Sequence, residues 1–141
     1  MFYPYNINQE NGKYICRVRD LDFYSTGSTK EEAFSKMKDG LLYNIDIKYR
    51  KEGLMIPMPS LPIRGKDSLF YIGLKDEARF RLWNLLKQKN INTAEFGRML
   101  GISRQQAHNM LSGAVSVSME KYSEAFESLG YYLSLELNPY K

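Results

Sequence analysis

The chain has 141 residues, with 20 Lys and Arg against 16 Asp and Glu, a formal net charge of +4, 43% hydrophobic and 26% charged residues. That balance excludes a disordered or collagen-like chain. No apolar run approaches the roughly 20 residues of a membrane helix, and the first residues lack the charged-then-apolar order of a secretory signal, so a cytoplasmic protein is expected. The single cysteine, Cys16, excludes an intramolecular disulfide and a cysteine-based zinc site; it reads as a small buried strand residue. With one histidine as well, neither a metal nor a cofactor is expected.

Phe2 to Asn8 is aromatic and β-branched enough for a strand. Asn11-Gly12 follows, a dipeptide suited to the positive φ angles of a tight hairpin. In Lys13 to Arg19, Tyr14, Cys16 and Val18 alternate with Ile15, Arg17 and Arg19, the period of a half-buried strand. A third short strand is expected at Phe23 to Thr26. After Gly27, Ser28 or Thr29 caps a helix, and Ser28 to Glu31 has capping-box spacing. Ala33, Met37, Leu41 and Ile45 recur every four residues, flanked by Phe34 and Leu42. They predict an amphipathic helix of about five turns ending near Lys51 to Gly53. Pro57, Pro59 and Pro62 then impose an extended connection. Leu69 to Leu74 reads as a strand that needs the N-terminal sheet, which places a domain boundary near Leu74.

From Lys75 the period is helical. Ala78, Leu82, Leu85 and Leu86 form one stripe through about Lys89, flanked by Trp83, and three short helical segments follow. Tyr131, Leu133, Leu135 and Leu137 alternate with Tyr132, Ser134 and Glu136, which predicts a C-terminal strand with no neighbour in its own domain. The fold class expected is α+β: a small sheet with one long helix over 1–74, then an all-α domain with a terminal strand over 75–141.

The segment from Asn92 to Leu111 carries the most information. Asn92 caps a helix, with Glu95 at the closing position of a capping box; Phe96, Met99 and Leu100 form its apolar face. Gly97 permits a close crossing, and Gly101 supplies the left-handed residue of a sharp turn. Ser103 and Gln106 repeat the capping-box spacing, and Ala107, Met110 and Leu111 face inward. This is the layout of a helix-turn-helix, whose second helix enters a DNA major groove. Its outer face carries Arg104, Gln105, His108 and Asn109. Arg pairs with guanine, and Gln or Asn with adenine. Thr93, Arg98, Ser103 and Gln106 complete the expected DNA-binding set, with Ser103 and Thr93 placed to bind phosphates at helix N-termini. Residues 75–104 hold seven basic and three acidic residues; residues 105–141 hold two and four. The basic excess therefore sits around the reading unit, a modest footprint for phosphate binding.

In order and spacing, these segments resemble the HicB family of antitoxins from bacterial type II toxin–antitoxin modules. The resemblance rests on the strand, the Asn11-Gly12 turn and the second strand; on Thr26-Gly27-Ser28-Thr29-Lys30-Glu31-Glu32-Ala33 leading into the long helix; on Ile56-Pro57-Met58-Pro59-Ser60; and on the helix-turn-helix with its Gly130 to Leu137 tail. It implies a truncated ribonuclease H-like toxin-binding domain over 1–74 that has lost catalysis. It also implies a DNA-binding and dimerisation domain over 75–141 that represses its own operon. The implied partners are a HicA-type mRNA-cleaving toxin, operator double-stranded DNA and further copies of the chain as a dimer or higher homo-oligomer, with no membrane partner.

No short motif marks the toxin-facing residues. Because RNA-cleaving toxins are usually basic, the acidic Asp20, Asp22, Glu31 and Glu32 are the expected contacts. Asp20, Asp22, Asp39 and Asp46 are too scattered, and too often beside Lys or Arg, for two-metal hydrolysis, so no enzyme activity and no catalytic residue is expected. The competing readings are a helix-turn-helix transcriptional repressor with an N-terminal ligand- or protein-sensing domain, and a nuclease with an accessory DNA-binding domain.

Overall fold

The computed structural model describes residues 1–60, 65, 67–137 and 139. The chain divides into two compact units, Met1–Glu77 and Ala78–Lys141. The first holds a four-stranded antiparallel sheet and one long helix; the second is all-helical.

In the first unit, β1 (Phe2–Glu10) and β2 (Lys13–Val18) form a hairpin in which Tyr5 faces Val18 and Glu10 faces Lys13. Its turn is Asn11-Gly12, with φ of 50° and 76°. Positive φ at both central residues matches the right-handed twist of the strands. β3 (Phe23–Gly27) pairs with β2, and β4 (Ser68–Tyr71) pairs with β1, giving the order β3-β2-β1-β4. The strand expected from Leu69 to Leu74 is thus shorter and earlier. Ile72 is buried beyond its end, and the next helix starts at Leu74.

Helix α1 (Lys30–Ile45) covers one face of the sheet. Its every-fourth-residue stripe, Ala33, Met37, Leu41 and Ile45, is buried against Tyr3, Cys16 and Val18 in the core of this unit. Full burial of an aliphatic side chain of this size contributes about 1.5–3 kcal/mol. Phe34 extends the contact, with ring centroids 5.5 Å from Tyr5 and 6.2 Å from Phe70. Cys16 is the small buried strand residue expected: burial pushes its thiol up to about 11, against a hydrogen bond with Ser25 that lowers it.

The cap of α1 differs from the expected box. Thr29, not Ser28, is the N-cap, accepting from the Glu32 N–H, and the Glu32 carboxylate accepts from the Ser28 N–H instead. Both Ser28 and Thr29 carry a hydroxyl, so the sequence does not separate them. Space at Gly27 does fix the entry: a Cβ there would stand 2.6 Å from the Ala33 backbone nitrogen. Gly27→Ala is therefore expected to lower stability by about 1–3 kcal/mol, because the obstacle is helix backbone rather than a movable side chain. A urea midpoint equal to wild type would show that α1 shifts without penalty.

A π-helical turn, Asp46–Arg50, continues α1, and a turn over 51–53 follows, with Gly53 at φ of 70°. The segment beyond folds back on the sheet: Ile56 is buried and the Tyr3 hydroxyl donates to the Pro57 carbonyl at 2.5 Å. Pro62 of the proline segment lies outside the described residues.

The helices that follow are α2 (Leu74–Gln88), α3 (Thr93–Leu100), α4 (Arg104–Ser112) and α5 (Met119–Ser128). α2 crosses from the first unit into the second. The core of the second unit joins Leu82, Leu85 and Leu86 of α2, Phe96 of α3, Ala107, Met110 and Leu111 of α4, and Tyr122, Ala125 and Phe126 of α5. One expectation fails here. Met99 is 42% exposed rather than part of the inner face of α3. Tyr131 to Leu137 forms no strand within the chain: Leu133 packs on the helical core, while Tyr132, Leu135 and Leu137 are 90%, 71% and 88% exposed. A strand requires a ladder partner, and this segment has none among the described residues.

Candidate nucleic-acid interface

α3 and α4 are joined by Gly101, Ile102 and Ser103. At the start of α3 the Asn92 side chain accepts from the Glu95 N–H at 2.8 Å; only this half of the expected box is made. Gly101 ends α3 with φ of 67°, and its N–H and that of Ile102 return to the carbonyls of Arg98 and Gly97. These bonds satisfy the last-turn carbonyls and turn the chain sharply. Gly97 meets that turn rather than another helix: a Cβ on it would stand 3.0 Å from the Ile102 carbonyl oxygen and 3.3 Å from that of Ser103. Ile102 packs on the core and pins the turn from inside.

At α4 the capping box is complete. The Ser103 hydroxyl accepts from the Gln106 N–H at 3.0 Å, and the Gln106 side-chain oxygen accepts from the Ser103 N–H at 2.9 Å. Gln106 thereby serves the cap, and Ser103 spends an acceptor position there. Arg104, Gln105 and His108 are exposed on α4. Together with Thr93 of α3 they line a polar cleft of about 500 Å³. Asn109 sits half-buried one turn from Gln105, whose Nε2 donates to its Oδ1 at 3.0 Å. Arg98 is exposed near the C-terminal end of α3 and does not line the cleft. Of the eight expected residues, four therefore converge on one concave surface. Ser103 and Gln106 stand at its edge as the cap, Asn109 acts on Gln105, and Arg98 lies apart.

The far end of α4 is anchored by residues the sequence reading did not single out. The buried Tyr122 hydroxyl donates to the Met110 carbonyl at 3.1 Å, and the Arg79 guanidinium, with Arg79 only 4% exposed, donates to the Leu111 carbonyl at 3.2 Å. A cation beside the last carbonyls also opposes the negative end of the helix dipole. Gly113 closes α4 with φ of 72° and lies against that guanidinium, where a Cβ would be 3.0 Å from Nε. The available signal was spacing: Arg79, Leu82 and Leu86 fall on one stripe of α2, so position 79 is inward despite its charge. These contacts hold α4 at both ends and leave its polar face outward.

The four acidic residues expected to meet a protein partner do not form one patch. Asp20 has φ of 74°, and its carboxylate accepts from the Ser60 N–H at 3.0 Å and the Ser60 hydroxyl at 2.7 Å. Asp22 pairs with Lys48, while its N–H donates to the Tyr49 hydroxyl. Glu31 is exposed in the first turn of α1. The Glu32 carboxyl is held below its ordinary value by its hydrogen bond with Lys36 and then by the Ser28 N–H. Asp20 and Asp22 precede β3, whereas Glu31 and Glu32 follow it. The five-residue strand sets the pairs roughly 16 Å apart.

What the first unit does expose is aromatic and aliphatic. Phe2, Leu69, Tyr71 and Tyr24 point away from α1, with exposures of 40%, 42%, 56% and 62%; the Phe2 and Tyr71 rings meet at 5.2 Å between centroids, tilted by 52°. Pro4, on the same face, is buried. The strand periods of β1 and β4 carried this signal, since both place large apolar groups on alternate sides. Among the described residues no group of three His, Cys, Asp or Glu is placed to hold a metal ion, and no helix is long and apolar enough to cross a membrane.

Residues 81–121 match the family model of the Cro/C1-type HTH DNA-binding domain. The match runs from the middle of α2 to the start of α5 and includes the whole of α3, the turn and α4. The second unit thus carries a helix-turn-helix DNA-binding domain, a non-catalytic fold. No curated protein matches the chain.

Proposed function

We propose that the chain is a transcriptional repressor that docks α4 in the major groove of operator DNA and receives a protein partner on its N-terminal sheet. The observation that carries the reading is the cleft of Thr93, Arg104, Gln105 and His108, built on a helix held at both ends inside a matched DNA-binding domain. Thr93 and the N-terminus of α3 meet a phosphate, Arg104, Gln105 and His108 face base edges, and Arg98 adds charge near the backbone. The test is a reporter driven by the DNA upstream of the chain's own reading frame. Expression should fall with the wild-type chain, and unchanged expression would reject repression.

One helix spans too few base pairs to single out an operator, so two copies must bind together. The Tyr131 to Leu137 segment supplies the means: Tyr131, Leu135 and Leu137 are exposed, and among the described residues its backbone has no ladder partner. Pairing with the same segment of a second copy satisfies both. Removing residues 131–141 is expected to give monomers by light scattering and to weaken operator binding at least tenfold, since two helices no longer act as one ligand. A dimer that persists after trimming would reject this interface.

A narrower reading makes the partner a HicA-type toxin and the chain its antitoxin. It is favoured by the exposed Phe2, Tyr24, Leu69 and Tyr71, large apolar groups of the kind that anchor protein interfaces. It is also favoured by the Gly27 entry to α1, where the resemblance to HicB antitoxins is carried by a glycine the backbone requires. Under this reading the sheet face, rather than the four separated carboxylates, covers the toxin. Co-expression with the neighbouring small reading frame separates the two: rescue from its toxicity supports the antitoxin, and a harmless neighbour leaves the broader repressor.

A further inference from the structure

Gln105 and Asn109 both carry the amide chemistry that reads adenine, yet they are not two independent readers. They stand one turn apart on α4, and Gln105 Nε2 donates to Asn109 Oδ1 at 3.0 Å. A carboxamide has two N–H donors and one carbonyl acceptor. The bond to Asn109 occupies one N–H and leaves one N–H and Oε1 for a base. That remaining donor–acceptor pair complements the major-groove edge of adenine, which offers N7 as acceptor and the N6 amino group as donor.

The same bond decides against guanine. Guanine presents two acceptors, N7 and O6. An unrestrained glutamine meets them by turning its NH2 group so that both N–H donors face the base. With one N–H held by Asn109, only one donor remains, and Oε1 would face the guanine O6, acceptor against acceptor. The long side chain also loses rotamer freedom before DNA arrives, so less is lost on binding. Building on the DNA-binding reading above, we infer that Asn109 is a positioning residue that turns Gln105 from a general purine contact into an adenine reader. Each half-site then contains an A·T pair read by Gln105. The neighbouring Arg104, which lines the same cleft, takes a guanine beside it.

The test is selection from a randomised duplex library by the full chain and by Asn109→Ala, Asn109→Asp and Gln105→Ala, with thermal melting of each. Gln105 is exposed, and the half-buried Asn109 has its side-chain oxygen on Gln105, so all three variants should melt close to wild type. The wild-type chain should fix an A·T pair in each half-site, and Gln105→Ala should lose it. Asn109→Ala should keep binding DNA but with adenine-over-guanine preference reduced roughly 2- to 12-fold, the worth of one net hydrogen bond. Asn109→Asp keeps an acceptor for Gln105 Nε2. It should retain the preference while weakening binding to all duplexes through its charge, a split that a merely structural role for Asn109 would not produce. Wild-type preference in Asn109→Ala, or its loss in Asn109→Asp, would overturn the inference alone. A wild-type chain that enriches no duplex would overturn the DNA-binding reading and this inference with it.

Discussion

Arg104→Ala combined with Gln105→Ala is expected to lower affinity for the preferred duplex at least about 30-fold, since each bidentate base contact contributes about 1–3 kcal/mol. Both side chains are exposed and neither belongs to the Ser103–Gln106 box, so the melting temperature should not fall. Alanine is also a better helix former than either residue. The loss should concentrate on the preferred sequence. Binding to unrelated duplexes rests on phosphate contacts and should weaken only by the share of one positive charge. Fluorescence anisotropy at fixed salt with matched and scrambled duplexes measures both. An equal loss on both duplexes would mean that these residues touch only the backbone.

Phe96→Ala should have the largest effect on folding. Phe96 is fully buried at the meeting point of α3 with the core of the second unit. Removing such a ring costs about 3–5 kcal/mol, which is a large part of the stability of so small a domain. Because the unit boundary lies at Glu77, the sheet unit has its own core of Tyr3, Cys16, Val18, Met37 and Leu41 and should remain folded. Calorimetry is expected to show one transition shifted down or lost and the other kept, with DNA binding abolished. A single transition moving as a whole would show that the two units unfold together.

The sequence was most legible where one residue's neighbours decide its environment. The alternation of Tyr14, Cys16 and Val18, the positive-φ pair Asn11-Gly12 and the stripe from Ala33 to Ile45 each appear in the fold as their periods require. So does the capping box of Ser103 and Gln106, which needs only contacts three residues apart. Legibility failed where the deciding partner is distant in the chain. Asp20 looks like a free surface carboxylate until Ser60 is brought to it, and Arg79 looks solvated until the end of α4 closes over it. Helical spacing placed Met99 inward, but the narrow contact of the two-turn α3 is filled by Phe96 and Gly97. The alternation from Tyr131 to Leu137 records a preference for strand, and pairing is a property of two segments rather than one. For the candidate interface, residue types proposed eight polar positions. Only geometry separated those that line the cleft from those that cap or position.

The most direct measurement of the central claim is a hydroxyl-radical footprint of the full chain on the duplex upstream of its reading frame, repeated with the Arg104 and Gln105 double variant. The account predicts two protected stretches on one side of the DNA, about 10 base pairs or a multiple apart, that fade in the variant. Uniform protection without phase, or a footprint the variant leaves intact, would contradict it.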